Sequence, residues 1–533
     1  MRLVRRFLIL THRYLGIALS LLVAVWFASG IVMMYAGGMP RLTPEVRLER
    51  LPPLDVRRVQ LTPSEAAGRA GAQGAPGRVV LSSVMERPAY RFTGGQSATV
   101  FADTGEVLGD ISVARSRRIA SAFMGLPEEH VAYERTLERV DQWTLGQGRN
   151  LPLHKFRVTD GRGTELYVAP QSAEVTLLTT RRSRALAWMG TIPHWLYFAA
   201  LRTNQPIWYR IVVWTSALAC VIAVLGLILG VTQFRRSKPF KLAASTPYSG
   251  WMRWHYVTGV VFGLCTLTFA FSGLLSMEPF AWTNATGLEV RRDALTGGPV
   301  DLSQFPAMDA AAWDRIAGGG ALKEVEFARI HDEHYYVVHH APASSSGIGR
   351  AERLHQPYDV VGRAEPNRAL VAASTLAIRR EPFSVDSLIG RLKVALPDVP
   401  IVEQTLLTAY DSYYYSRGQQ TPLPVLRVKF ADPAETWVYI DPAMSQVLAE
   451  VHRLNRLERW LYNGLHSLDF AFWYNSPLWD VGMIALCLGG LASSGIGVLL
   501  GVRRIRRATT RTARSWTDTP AVDARHSISQ PLR

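Results

Sequence analysis

The chain has 533 residues, 48% of them hydrophobic, a mean hydropathy of +0.05 and a net charge of +16. It is too apolar for an ordinary soluble protein and too charged to lie wholly within a membrane. The positive charge does not mark a nucleic-acid binder: fifteen cations sit in three acid-free clusters flanking apolar runs, at Arg2, Arg5, Arg6 and Arg13, at Arg235, Arg236, Lys238, Lys241 and Arg253, and at Arg503, Arg504, Arg506, Arg507, Arg511 and Arg514. Charge placed in that way is about membrane topology.

Four runs, at about 14–34, 207–230, 257–277 and 481–502, reach the roughly 20 apolar residues that cross a hydrocarbon core. The first resembles a signal peptide, but it is longer than an h-region and lacks a small-x-small cleavage site, so an uncleaved span is expected. The positive-inside rule puts both termini and the loop at 232–254 in the cytoplasm and the two long segments outside. Cys220, Cys265 and Cys487 all lie within apolar runs, with no Cys-x-x-Cys, and read as small hydrophobes rather than a disulfide framework.

In chain order, region 1–36 is the first span, opening on Thr-His-Arg-Tyr-Leu-Gly at 11–16 and closing on Ala-Ser-Gly at 28–30. Region 37–190 reads as a small α+β unit, with a helix near 62–72 and strands at 78–84, 90–92 and 98–107. Region 191–231 carries His194, then Asn-Gln-Pro-Ile-Trp at 204–208, then the second span. A straight helix from His194 to Gly230 would run about 54 Å at 1.5 Å per residue, so an interfacial segment or a kink at Pro206 is needed.

After the loop at 232–254, the third span, 255–277, repeats the first: Trp-His-Tyr-Val-Thr-Gly at 254–259, then Phe-Ser-Gly at 271–273. His12 to Ser29 and His255 to Ser272 are both 17 residues apart, and a glycine follows each histidine four residues later, on the same helical face. Region 278–458 is a second α+β unit, with a helix at 384–396, strands at 405–415, 424–430 and 436–441, and loops at 318–320 and 344–349. Region 459–502 repeats 191–231, with His466 in place of His194 and Asn-Ser-Pro-Leu-Trp at 475–479. The tail, 503–533, is basic and then polar, and disorder is expected there.

The chain therefore contains a repeat of span, α+β segment, span. Like-oriented halves would form a four-helix transmembrane bundle from two parallel repeats, related by an axis along the membrane normal. Across such an axis His12 faces His255 and His194 faces His466.

Four stretches carry a resemblance. Gly-Thr-Ile-Pro-His-Trp-Leu-Tyr-Phe at 190–198, Tyr-Asp-Ser-Tyr-Tyr-Tyr-Ser-Arg at 410–417, Trp-Val-Tyr-Ile-Asp-Pro at 437–442 and Arg-Trp-Leu-Tyr-Asn-Gly-Leu-His-Ser-Leu-Asp-Phe at 459–470 are similar to the PepSY-associated transmembrane family, over the chain up to about Arg507. Its members include iron-regulated bacterial inner-membrane proteins and ferric-siderophore reductases with b-type haem. The resemblance implies PepSY-like α+β domains in the periplasm.

Paired imidazoles from neighbouring helices are axial ligands for haem iron, and an apolar bundle buries the macrocycle. His12, His255, His194 and His466 are thus the expected ligands of two haems. The expected function is electron transfer across the inner membrane, from a quinol or a partner protein to a ferric chelate, a ferric-chelate reductase activity. Each histidine also has a plain alternative, His12 and His255 as interfacial anchors beside Arg13, Trp254 and Tyr256, and His194 and His466 as capping residues. Tyr413, Tyr414, Tyr415 and Arg417 could receive a bulky anionic chelate by stacking and carboxylate pairing, or simply pack. His331, His334, His339 and His340 supply metal-ligand atoms, but on a strand 339 and 340 point to opposite faces, so a solvated strand is expected.

Two rival functions remain open on sequence: a peptide-binding or peptidase-regulating periplasmic module on a membrane anchor, and an uptake component for a siderophore or metal. No nucleotide loop, nucleophile elbow or His-Glu-x-x-His is present. The lipid bilayer is the partner that the composition itself requires.

Overall fold

The computed structural model describes residues 2–517 apart from 72–75, 95–96, 238, 240, 284–287, 341–367, 416–420, 471–472 and 474–476. Arg417, the loop at 344–349, Asn475, Ser476 and the tail beyond 517 lie outside the described residues.

From the N-terminus the elements are α1 (Arg2–Ala36), α2 (Pro44–Arg50), α3 (Pro63–Arg69), β1 (Arg78–Val84), β2 (Arg87–Thr93), β3 (Ala98–Phe101), α4 (Val113–Met124), β4 (Val131–Leu137), β5 (Leu153–Val158), β6 (Glu165–Ala169), β7 (Glu174–Thr179), α5 (Arg181–Met189), α6 (Thr191–Trp195), α7 (Ala199–Arg202) and α8 (Gln205–Gln233). After α9 (Leu242–Ser245) come α10 (Gly250–Leu275), α11 (Arg292–Thr296), α12 (Ala310–Ala317), β8 (Leu322–Ile330), β9 (Glu333–His340), β10 (Arg368–Ala372), β11 (Ile378–Arg379), α13 (Val385–Ala395), β12 (Ile401–Leu407), β13 (Val425–Phe430), β14 (Trp437–Asp441) and β15 (Gln446–Val451). The chain ends in α14 (Arg453–Glu458), a π-helical turn at Arg459–Gly464, α15 (Leu465–Ser467) and α16 (Leu478–Thr517).

Four of these helices, α1, α8, α10 and α16, are long and apolar enough to cross a membrane. This is a membrane protein with antiparallel α+β segments. The chain divides into two units, and each long helix contributes residues to both. A helical unit comprises Met1–Ala28, Trp214–Phe271 and Ile484–Arg533; a sheet-bearing unit comprises Ser29–Val213 and Ser272–Met483.

In the helical unit glycines set the packing distance. A Cβ at Gly490 would stand 2.2 Å from the Phe27 ring, and one at Gly230 2.8 Å from Val260, so these helices approach where side chains are absent. The tail from 503, for which disorder is expected, is helical as far as Thr517. Arg503, Arg504, Arg506 and Arg507 lie on α16, which runs on to Thr517, because arginine and alanine are good helix formers.

In the sheet-bearing unit the long segments are not separate domains. β1 pairs antiparallel with β8, from Val79 opposite Phe327 to Ser82 opposite Glu324, and this seam makes one seven-stranded sheet, β11-β10-β9-β8-β1-β2-β3. One core carries Ala66 of α3 together with Trp313 and Ile316 of α12, against Tyr90, Phe92, Phe327 and Tyr336 of that sheet. Burial of each such large side chain contributes about 1.5–3 kcal/mol. Two four-stranded sheets, β4-β5-β6-β7 and β12-β13-β14-β15, each carry one helix: α4 lays Ala120, Phe123 and Met124 on the first, and α13 lays Leu388, Ile389 and Leu392 on the second. Serines start both helices, with Ser112 Oγ accepting from the Arg115 amide and Ser384 Oγ from the Ser387 amide.

The expected strand at 405–415 is shorter. β12 stops at Leu407, and Asp411 turns the chain: its Oδ1 accepts from the amides of Tyr413 at 2.8 Å and Tyr414 at 2.7 Å. An aspartate offering its own side chain to amides two and three residues on competes with a strand ladder.

Candidate metal centres: two histidine pairs

In the helical unit the rings of His12, on α1, and His255, on α10, lie with centroids 6.3 Å apart and planes at 42°. Each ring is held from behind. His12 Nδ1 donates to the carbonyl of Ile222 on α8, and His255 Nδ1 to that of Ser493 on α16, both at 3.1 Å. A carbonyl can only accept, so the proton of a neutral ring sits on Nδ1 and the lone pair on Nε2.

How a ring reaches a carbonyl inside a helix is visible in the sequence. Gly226 and Gly497 stand four residues after Ile222 and Ser493, and His12 Cε1 would lie 2.9 Å from a Cβ at 226, His255 Cε1 3.6 Å from one at 497. Both rings border a cavity of about 920 Å³ lined by all four long helices, including Gly16, Gly259 and Gly263, with Arg13, Arg503, Arg504 and Arg507 also on its wall.

The second pair lies in the sheet-bearing unit. His194, on α6, and His466, on α15, have ring centroids 6.0 Å apart and planes at 75°. His194 Nδ1 is 3.1 Å from Ser29 Oγ and His466 Nδ1 is 3.0 Å from Ser272 Oγ, both hydroxyls on buried residues. A Cβ at Gly30 or Gly273 would meet the respective ring at 3.6 Å.

Short helices position these two histidines, in place of one long kinked helix. Two residues after each histidine a leucine turns left-handed, Leu196 at φ 52° and Leu468 at φ 49°, and so ends the short helix. The indole of Trp208 then donates to the carbonyl of Trp195 at 2.9 Å, and that of Trp479 to Ser467 at 2.7 Å. The tryptophan of each Asn-x-Pro-x-Trp stretch thus pins the residue after its histidine, a job that spacing alone does not reveal. The serines were visible as a repeat at 17-residue spacing; what the sequence lacked was the segment that returns to meet them.

Of the two readings of Tyr413, Tyr414 and Tyr415, a chelate-receiving face or plain packing, the contacts made by these rings are those of packing. Since Asp411 turns the chain, the three rings do not share one surface. Tyr414 is buried, stacked on Tyr439 at 5.0 Å, with its hydroxyl donating to Pro422 O. Tyr413 accepts from the Trp460 indole at 3.2 Å, and Tyr415 donates to Asp469 Oδ2 at 2.8 Å. Asp469 also pairs with Arg459 at 3.2 Å. Tyr413 and Tyr415 therefore brace the segment that carries His466. Asp141 makes a matching turn in the first half, accepting from the Trp143 and Thr144 amides, and Trp143 meets Trp188 as Tyr413 meets Trp460, both edge-on at 6.4 Å.

The histidines of 331–340 do not converge. His331 lies between Ser445 and Ser387, His334 Nε2 accepts from the Asp301 amide, and His339 and His340 are neighbours on β9 with opposite faces. Among the described residues no group of three or more His, Cys, Asp or Glu could hold a metal ion. Burial is the main reason that all four imidazoles titrate below the usual histidine range.

Four apolar helices, antiparallel α+β units and histidines paired at two places define an integral membrane protein of a particular kind. Residues 9–355 match the PepSY-associated TM region, and the chain belongs to that family. No curated protein matches it.

Proposed function

We propose that this is a di-haem electron-transfer protein of the inner membrane, with one b-type haem between His12 and His255 and another between His194 and His466. Electrons would pass from a quinol or a partner protein to a periplasmic ferric chelate such as a ferric siderophore. In this reading the two halves are parallel repeats forming a four-helix bundle with both termini in the cytoplasm, as the arginine clusters favour.

The observation that carries the reading is the geometry common to the two pairs. Two imidazoles that shared one metal ion, each nitrogen about 2 Å from it, would have their ring centres about 6 Å apart, and the pairs stand at 6.3 and 6.0 Å. The residues around the first pair fit a flat, largely apolar macrocycle. The cavity of about 920 Å³ is at the upper end of ligand pockets, about 300–1,000 Å³, and at Gly16 its wall faces open space.

When bound, haem supplies a one-electron iron couple. The chain's residues do the rest. Ile222 and Ser493 keep a proton on Nδ1 of His12 and His255, which turns Nε2 into the donor atom, and Ser29 and Ser272 orient His194 and His466. Apolar helix faces exclude water, and Arg13, Arg503, Arg504 and Arg507 offer guanidinium groups to the carboxylates that such a macrocycle carries.

The test is the visible spectrum of the purified protein from haem-replete cells, oxidised and dithionite-reduced, with ferric-chelate reduction measured in vesicles. Two haems per chain are expected, falling to one in His12→Ala and in His466→Ala. A protein without a Soret band overturns the proposal.

A further inference from the structure

The sheet-bearing unit contains a cavity of about 290 Å³ where the β1–β2 hairpin tip, α2, α4 and the β6–β7 turn meet. Five arginines line it, Arg47, Arg50, Arg91, Arg115 and Arg118, against two acids, Glu86 and Glu174. Glu174 is already committed, to Arg47 at 3.1 Å and Arg91 at 2.8 Å, and Arg47 also holds Glu324. Among the described residues neither Arg115 nor Arg118 has an acidic partner within ion-pair distance, and the buried Nε atoms of Arg50 and Arg91 lack a hydrogen-bond partner. Cations gathered in a partly enclosed site repel one another unless an anion joins them.

The second half of the chain shows what such a junction looks like when it is filled. There the equivalent hairpin tip, His331-Asp332 between β8 and β9, meets α13 and the β14–β15 turn. The His331 ring packs on Phe383, centroids 4.3 Å apart and planes tilted by 42°, and bonds Ser387 and Ser445. Asp332 takes the guanidinium of Arg391 on α13, and that of Arg329 at 3.2 Å. In the first half the tip is Met85-Glu86. Both tips hold two non-glycine residues at positive φ, 49° and 62° for Met85 and Glu86, 50° and 67° for His331 and Asp332, a conformation kept where surrounding contacts demand it. Glu86 makes no ion pair among the described residues, and arginine, not serine, stands at the third position of α4. At one junction the carboxylate of the tip, Asp332, is paired with the arginine of its helix; at the other the tip carboxylate, Glu86, lines the cavity without an ion pair among the described residues, and Arg115 and Arg118 are left without an acidic partner there.

We propose that the arginine-lined cavity binds a small anion bearing two or three carboxylates. The guanidiniums come from separate elements. Arg47 and Arg91 meet at Glu174, Arg50 at the end of α2 reaches the last turn of α4, donating to the Phe123 and Met124 carbonyls, and Arg115 and Arg118 are on the first turns of α4. Eight helical residues between 115 and 123 span about 12 Å. One compact anion satisfies a fraction of that arc, whereas several carboxylates on one carbon chain satisfy more of it, each taking a guanidinium fork.

The site is independent of the paired histidines and is tested without them. Calorimetric titration of the detergent-purified full chain with citrate, at about 20 mM and about 150 mM salt, should give one site per chain that weakens with salt. The double variant R115Q/R118Q, altered at two exposed positions, should bind about tenfold more weakly or not at all. Glu86→Gln, which removes a competing acid, should bind more tightly, and inorganic phosphate more weakly than citrate. No citrate heat in the native chain, equal citrate affinity in R115Q/R118Q, or phosphate binding as tightly as citrate overturns the proposal.

Discussion

His12 Cε1 lies so close to Gly226 that a Cβ there would stand 2.9 Å away, whereas the matching distance from His255 to Gly497 is 3.6 Å. The first is shorter than carbon atoms tolerate and the second is ordinary contact, so two glycines in like positions should respond differently to alanine. Gly226→Ala should push the His12 ring off the Ile222 carbonyl, at a cost of about 1 kcal/mol for the hydrogen bond, and lower the haem content of that pair. Gly497→Ala should leave it unchanged. Haem per mole of protein, read from the reduced-minus-oxidised spectrum, separates the two; equal behaviour would mean that the rings are free to move.

The second pair, His194 and His466, leans on serines instead of carbonyls. Ser272 is fully buried, 3.0 Å from His466 Nδ1. Loss of such an outer partner typically weakens metal-ligand sites about 10–100-fold. Ser272→Ala and Ser29→Ala should each weaken haem retention by the second pair within that range, and leave the His12 pair intact. Haem transfer to apo-myoglobin, timed by absorbance, measures this. A double variant that loses haem no faster than the parent would remove the serines from the site.

Much of this architecture was legible because the chain states it twice. The 17-residue spacing from histidine to Ala/Phe-Ser-Gly, and the two Asn-x-Pro-x-Trp stretches, marked the spans and the paired histidines without any coordinates. Contacts made by backbone geometry were not legible. Nothing in Met85-Glu86 announces a left-handed hairpin tip, since the usual glycine or asparagine is absent, and His331-Asp332 carries only a weak signal for one. The seam between β1 and β8 joins residues some 245 positions apart, and strand alternation is silent about which edge finds which. The Tyr-Tyr-Tyr run left a chelate-binding face and plain packing both open, because Asp411 upstream, not the tyrosines, decides the local turn.

The His331 imidazole titrates at about 4, depressed by burial first and then by Arg391 and Arg379. In the unfolded chain it titrates near 6.5. Between these values the unfolded state binds more protons, so folded stability rises with pH across about 4–6.5, is fully present above that window, and is lost as pH falls through it. Solvent screening of this half-buried ring reduces its share to about 1 kcal/mol. The difference in melting temperature between pH 7.5 and pH 5 should therefore be smaller in His331→Gln than in the parent; an unchanged difference would assign the acid sensitivity to the other depressed histidines.

Asp411 ties strand, turn and histidine segment together. It accepts from the Tyr413 and Tyr414 amides, from Tyr439 at 2.9 Å and from Arg427 at 2.8 Å, and the turn presents Tyr413 to Trp460 and Tyr415 to Asp469. Asp411→Ala leaves two amides and a hydroxyl to find other partners, and should cost about 2–4 kcal/mol of stability. Asp411→Asn keeps an acceptor for the amides and should cost less, because Arg427 retains Glu403 at 2.8 Å. If the turn acts on His466 through Trp460 and Asp469, the alanine variant also loses haem from the second pair ahead of the first, whereas Asp141→Ala acts on the same pair through His194. Thermal unfolding with absorbance followed at the haem bands checks both; haem loss from the two pairs in step with global unfolding would reduce Asp411 to a fold residue.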